Sequence, residues 1–224
     1  MSAPRNRGLR SSIERHYDSL LFLYRSFWGE HLHHGLWSDA GETPALAQEC
    51  LVSHLAQAAA IQRGARVLDV GCGYGAPARW LARKLDCRVT GITISRGQAR
   101  LARRLAKRAH LDRSVTVVRS DAADLPFGAQ HFDVIWVIEC IEHLADKSAF
   151  VRETMRLLAP GGTLALCSWL RGEGVSAGDE TVRGVCDAFL CPSLATASEY
   201  RQYCVESGLQ VDRLEDLTTR VRAT

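Results

Sequence analysis

The sequence predicts an α/β protein in which a mainly parallel, doubly wound sheet is covered by helices on both faces. Three observations predict it. Short apolar runs rich in Val and Ile alternate with amphipathic segments over residues 66–168. The first of these runs, Val67-Leu68-Asp69-Val70, leads directly into the glycine turn Gly71-Cys72-Gly73-Tyr74-Gly75 and then into a helical segment. The 224 residues are 46% hydrophobic and 24% charged, which suits one large domain and excludes a disordered, fibrous or charge-rich chain.

Element by element, residues 1–12 read as a basic, flexible arm. From residue 12 to about 28 a helical face carries Ile13, Tyr17, Leu20, Leu21, Tyr24 and Phe27 or Trp28. A Gly- and His-rich connector fills 29–41. Thr43 and Pro44 then open a helix that runs to about residue 60, with Thr43 as cap and Pro44 in the first turn, where no N–H is needed. Strands are expected over 66–70, 88–94, 115–119, 132–138 and 163–168, and helices over 76–85, 96–109 and 147–158. Residues 171–197 break this rhythm with Gly, Pro, Cys and an apolar stretch at 185–190, and read as an insertion. Residues 198–207 are helical, and 209–214 has the pattern of a strand. The expected organisation is one domain: a helical lid over 1–60, a core over 61–170, a cap over 171–197 and a short end over 198–224.

Composition narrows the function classes. A net charge of +3 does not demand a polyanionic partner. The eight Cys form no Cys-x-x-Cys, so neither a zinc ribbon nor a thioredoxin-type pair is indicated, and no metal is expected. The N-terminus lacks the apolar core of a signal peptide, and no apolar run approaches the ~18 residues of a membrane span. The expected compartment is the cytoplasm, with reduced thiols.

In an open α/β sheet the ligand lies beyond the carboxyl ends of the strands. Gly71, Gly73 and Ala76 satisfy a loose dinucleotide fingerprint. Three residues separate the alternatives. Asp69 sits ahead of the first glycine, where a carboxylate suits a cationic group and would crowd a pyrophosphate. The next strand ends Gly91-Ile92-Thr93-Ile94-Ser95, without the ribose-binding acid of an NAD site. Asp121 follows the third strand, where it can accept from an adenine amine or, alternatively, cap a helix. Together these favour a nucleoside whose tail carries an amine.

VLDVGCGYG, SDAADLPF, FDVIWVIECIEHL and LLAPGG, in this order and spacing, resemble class I S-adenosylmethionine (SAM) methyltransferases, which share a Rossmann-like fold. The resemblance covers about residues 17–217. HYD at 16–18, WGEHLHHGLW at 28–37, GITIS and CDAFLCPS at 186–193 resemble the tocopherol (prenylquinol) methyltransferase-like branch. Its relatives include alkaloid N-methyltransferases, sugar O-methyltransferases and, further off, cyclopropane fatty-acid synthases.

The resemblance implies SAM as cofactor, S-adenosylhomocysteine (SAH) as its product, and a small-molecule acceptor rather than nucleic acid. It places Asp69, Gly71, Cys72 and Gly73 around the methionine part, and Thr93, Ile94 and Gln98 near the ribose and adenine. Asp121 and Ala122 would meet the adenine, Ile138 and Glu139 the sulfonium. Tyr17, His33, His34 and Gly35 would close over the cofactor. Most class members have an acid where this chain has Thr93, whereas the tocopherol-like branch has Thr or Ser.

For chemistry, alignment of a nucleophile with the methyl carbon matters most. A phenol acceptor also gains from a base, for which His143, His33 and His34 are the candidates. Trp169, Val185, Phe189 and Leu190 are expected to line an apolar acceptor pocket. His31, His33 and His34 read as a polar lid, since no second ligand cluster accompanies them. Arg96, Arg100, Arg103, Arg104, Lys107 and Arg108 share one helical face, read as solvated. That face also motivates a nucleic-acid methyltransferase as the alternative function, with a non-catalytic SAM-binding protein as another. The class resembled ends with a sixth strand, a helix and a seventh strand; residues 209–214 can be the sixth, but 215–224 are too few for a helix plus a strand. A six-stranded or smaller sheet is therefore expected, with an exposed edge that favours self-association.

Overall fold

The computed structural model describes residues 4–221 apart from Trp28 and Ala40. Five strands form one parallel sheet: β1 (Arg66–Val70), β2 (Arg88–Thr93), β3 (Val115–Arg119), β4 (Phe132–Ile138) and β5 (Leu158–Cys167), in the order β3-β2-β1-β4-β5. Val70 aligns with Ile92 of β2 on one side and Val137 of β4 on the other. The order reverses at β1, which opens a crevice beyond the carboxyl ends of β1 and β4.

The helices are α1 (Pro4–Ser19), α2 (Leu21–Phe27), α3 (Pro44–Ala58), α4 (Ala76–Leu85), α5 (Arg96–Arg108), α6 (Lys147–Leu157), α7 (Glu180–Ala188), α8 (Ala197–Glu206) and the short α9 (Thr218–Val221). Alternation along the strands sorts the core into two layers. Val67, Val89 and Trp136 pack with Leu51 of α3, Leu81 of α4 and Ala102 of α5. Leu68, Val70, Ile135 and Val137 face the opposite way, onto Phe150 and Val151 of α6 and Tyr200 of α8. Each fully buried Leu, Ile or Val in these layers contributes about 1.5–3 kcal/mol.

Several elements differ from expectation. The first helix starts at Pro4, not near residue 12, because proline is well suited to a helix's first turn. It breaks after Ser19, whose hydroxyl donates to the His16 carbonyl at 3.1 Å, and α2 follows as a separate helix. Trp28 and the side chains of Tyr24 and Phe27 lie outside the described residues. β2 stops one residue early, because Ser95 caps α5 by accepting the Gln98 N–H at 3.0 Å. β5 begins at Leu158 and carries Pro160-Gly161-Gly162 within it, opposite a register shift between Phe132 and Val134 of β4.

The stretch 209–214 is not a strand. It lines the far side of a cavity of about 1390 Å³ beside β5 and meets no ladder partner. An extended segment without a neighbour's N–H and C=O groups forms no strand. Among the described residues β5 pairs with β4 alone, which leaves its other edge free. No helix of the described residues is long and apolar enough to cross a membrane.

Candidate active site

The carboxyl ends of β1 to β4 converge on a cavity of about 590 Å³, within the size range of small-molecule sites. β1 contributes Asp69, and the turn after it Gly71, Cys72 and Gly73. Thr93 and Ile94 come from the end of β2, Gln98 from the first turn of α5, and Asp121 and Ala122 from the turn after β3. Ile138 and Glu139 border it at the end of β4, and Tyr17, His33 and His143 reach it from the lid and the turn after β4.

Gly71 has φ +76°, and a Cβ there would overlap the Cys140 sulfur, so only glycine lets this turn lie against the end of β4. Asp69 is fully enclosed, and its Oδ2 has no hydrogen-bond partner within the protein. Burial pushes its carboxyl up from 3.8 to about 7. A buried, under-satisfied carboxylate on the cavity wall fits a ligand that brings a cation. Asp121 Oδ1 accepts the Ala123 N–H at 3.0 Å in a turn that leads into no helix, so it caps a turn.

At β2, the Thr93 hydroxyl donates to Gln98 Oε1 at 2.7 Å and accepts the Ser95 N–H at 3.2 Å. The lid is fastened here by Asp18, which accepts the Ser95 hydroxyl and, at 3.0 Å, the Gly97 N–H. A carboxylate on the N-terminus of α5 is favoured by the helix dipole. Glu14 pairs with Arg119 beside it. Asp18→Ala is expected to lower stability by about 1–2 kcal/mol, the scale of a lost cap. Calorimetry should show Tm falling by a few degrees and SAH binding weakening with it; an unchanged melting curve would remove Asp18 from the lid's attachment.

Two buried histidines of the connector, His31 and His33, form a neutral chain that ends on the His34 carbonyl. His33 Nδ1–H donates to the His34 carbonyl at 2.8 Å, which leaves Nε2 to accept from His31 Nδ1–H at 3.0 Å. Burial lowers both, His31 to about 3. His34 behaves differently. Its Nδ1 lies 2.9 Å from Glu139 Oε2, its backbone N–H donates to Oε1 at 3.1 Å, and the hydrogen bond to Glu139 raises its pKa. Glu139 has φ +48°, a strained conformation that turns the chain out of β4.

Two of the residues expected around a cofactor do not line this cavity. His34 lines the larger cavity instead, with Trp169 and Phe189, because its ring turns toward Trp169, 5.3 Å away edge to face. Gly35 is buried on α3, where a Cβ would stand 2.5 Å from that of Ala47; its smallness serves packing. Glu139 borders both cavities.

His143 is half-buried between two chain segments. Its Nδ1–H donates to the Leu190 carbonyl at 3.4 Å, so Nε2 is the acceptor, and it faces the Tyr17 hydroxyl at 3.0 Å. Burial lowers its pKa, so the imidazole is neutral. Sequence reasoning missed several contributors. Arg79 of α4 is buried, donates to the Tyr74 carbonyl at 2.7 Å and pairs with Glu30 of the connector at 2.7 Å. No local pattern marks that pair. The HYD run did contain Asp18, but its role depends on α5. The six cations of α5 are all exposed, with Arg103 also donating to the Val117 carbonyl of β3 at 2.8 Å.

Comparison with known proteins agrees with this architecture. Residues 68–166 match the model of a family described as a methyltransferase domain. The chain is 36% identical to 27-O-demethylrifamycin SV methyltransferase of Amycolatopsis mediterranei, over 95% of this chain and 78% of that protein. It is 30% identical to the chloroplastic tocopherol O-methyltransferase of Arabidopsis thaliana, over 98% of this chain and 69% of the other. The crystal structure of the cyclase SpnF superposes with a TM-score of 0.82 at 28% identity, covering 94% of this chain and 76% of that one. The fold and cavity define a nucleoside-binding α/β enzyme, and the chain belongs to the SAM-dependent methyltransferases.

Proposed function

We propose that the protein transfers the methyl group of SAM to a hydroxyl of a small, largely apolar acceptor. The observation that carries this is the neutral His143 on the cavity wall, with Nε2 turned to the Tyr17 hydroxyl. An amine nucleophile needs no base, whereas a hydroxyl gains from one. The O-methyltransferases of rifamycin and tocopherol among its relatives support the same acceptor chemistry.

SAM supplies, when bound, a methyl group on a good leaving group. Asp69 would receive its amino group, Thr93 and Gln98 would border the ribose, and Asp121 and Ala122 the adenine. Tyr17 and His33 would cover it from the lid. The acceptor would enter beside Glu139, against the ring row His34, Trp169 and Phe189, with residues 171–197 as its cover. Its hydroxyl proton would pass to the Tyr17 oxygen as Tyr17 releases its own to His143 Nε2. His34 is already hydrogen-bonded to Glu139 and serves as wall rather than base.

We also infer a reducing, cytoplasmic setting, consistent with eight free cysteines, no use of nucleic acid, and self-association through the free edge of β5. Incubation of a mixed metabolite pool with isotopically labelled SAM tests the main reading. The expected product is an apolar molecule labelled on oxygen. Label appearing on nitrogen alone, or conversion of a substrate without any label, as a cyclase would give, would overturn it.

A further inference from the structure

Two buried ionisable side chains near the end of β4 line neither cavity. Glu142 lies in the 3-10 turn Ile141–His143, and Lys147 opens α6; they are 2% and 4% exposed. Each reaches one end of the segment 171–197. Glu142 Oε1 accepts the Trp169 N–H at 2.6 Å, just before the segment leaves the core. Lys147 Nζ donates to the Leu144 carbonyl at 2.9 Å, the Glu142 carbonyl at 3.4 Å and the Ser193 hydroxyl at 3.3 Å, where the segment returns.

Between its stems the segment is held mainly by the Leu190 carbonyl on His143 and the Phe189 ring on Trp169. No residue of α7 is buried, and Phe189 is 45% exposed. The two stems also meet through Arg171, whose N–H donates to the Ala195 carbonyl at 3.0 Å. The position of the excursion is therefore set largely at its stems, with the Leu190–His143 contact as a further hold. At the entering stem the consequence reaches the site: the Trp169 indole stands edge-on to His34 at 5.3 Å and to Phe189 at 4.7 Å. Moving the Trp169 backbone would move that ring row.

Keeping a carboxyl and an ammonium out of water is costly and calls for a compensating role. Neither group touches the cavities. The Glu142 carboxyl partly offsets the burial of Lys147, and each residue holds one stem.

We propose that Glu142 and Lys147 are positioning residues, a buried clasp that fixes both stems of segment 171–197 and thereby the aromatic wall of the acceptor site. The inference rests on the reading of this segment as the acceptor's cover.

Hydrogen exchange of the full chain, saturated with SAH, tests the clasp without any acceptor. Glu142→Ala and Lys147→Met should speed exchange over residues 180–190 at least ten-fold. Ser193→Ala, which removes one hydroxyl at an exposed position, should speed it about three-fold. Glu142→Gln keeps an oxygen for the Trp169 N–H and should restore slow exchange. In every variant β1 and β4 should stay protected and the SAH Kd should stay within about three-fold. Unchanged exchange at 180–190 in Ser193→Ala and Glu142→Ala would overturn the clasp, as would loosening of β1 and β4 in parallel. If Glu142→Ala and Lys147→Met do not fold, Ser193→Ala set against Glu142→Gln decides alone. With an acceptor in hand, the folded clasp variants should raise its KM more than they lower kcat. Failure to find a hydroxyl acceptor would count against the proposed function, while the exchange result would still decide the clasp.

Discussion

Asp69→Asn is expected to yield a protein that is more stable at pH 8 and far poorer at holding SAM. In the folded protein the Asp69 carboxyl titrates at about 7, against 3.8 in its ordinary state. Between these values the unfolded chain is ionised and the folded one is still protonated. Stability therefore falls as pH rises through that window, by about 4 kcal/mol in all, and the loss is complete above about pH 7. Asparagine escapes the loss, so the variant should match the wild type near pH 4 and exceed it at pH 8.

Binding should show the opposite preference. A cationic ligand favours the carboxylate, so SAM uptake near neutrality releases a proton from Asp69. Wild-type affinity should climb with pH between about 5.5 and 7, by up to ten-fold per pH unit. Asp69→Asn should bind about 10–100-fold more weakly at pH 7.5, the scale of a hydrogen bond to a charged group, and with a flatter pH dependence. Calorimetric titration at three pH values reads both effects. Equal affinity in the variant would place the cation elsewhere.

His143→Ala is expected to reduce kcat by about 10²–10⁴, the range of general-base catalysis, while the SAH Kd stays within a few-fold. Tyr17→Phe removes the hydroxyl that connects the base to the cavity and should lower kcat similarly, with the lid still closed by Asp18. Burial holds His143 below its ordinary value of 6.5. The acid limb of the wild-type kcat profile should therefore lie below pH 6.5, and His143→Ala should lose that limb. Turnover equal to wild type in both variants would show that the pair only joins lid to core.

The sequence by itself determined most of the sheet and the crevice beyond its carboxyl ends. β1, β3, β4 and α4 fall on their expected residues, and the neighbouring helices shift by one or two. Those elements are legible because hydrophobic period, caps and glycine turns act over a few residues. Asp69, Thr93 and Asp121 were legible for the same reason, since each stands at the carboxyl end of a strand whose direction the alternation fixes. Only the tertiary structure decided what joins across the chain. Tyr17 meets His143 over 126 positions, His34 meets Glu139 over 105, and Asp18 caps α5 from 79 away. No local pattern encodes such pairs, because they depend on how the lid lies on the sheet. The stretch 209–214 makes the same point in reverse: its alternation is that of a strand, but a strand exists only where another backbone edge meets it, and here none does.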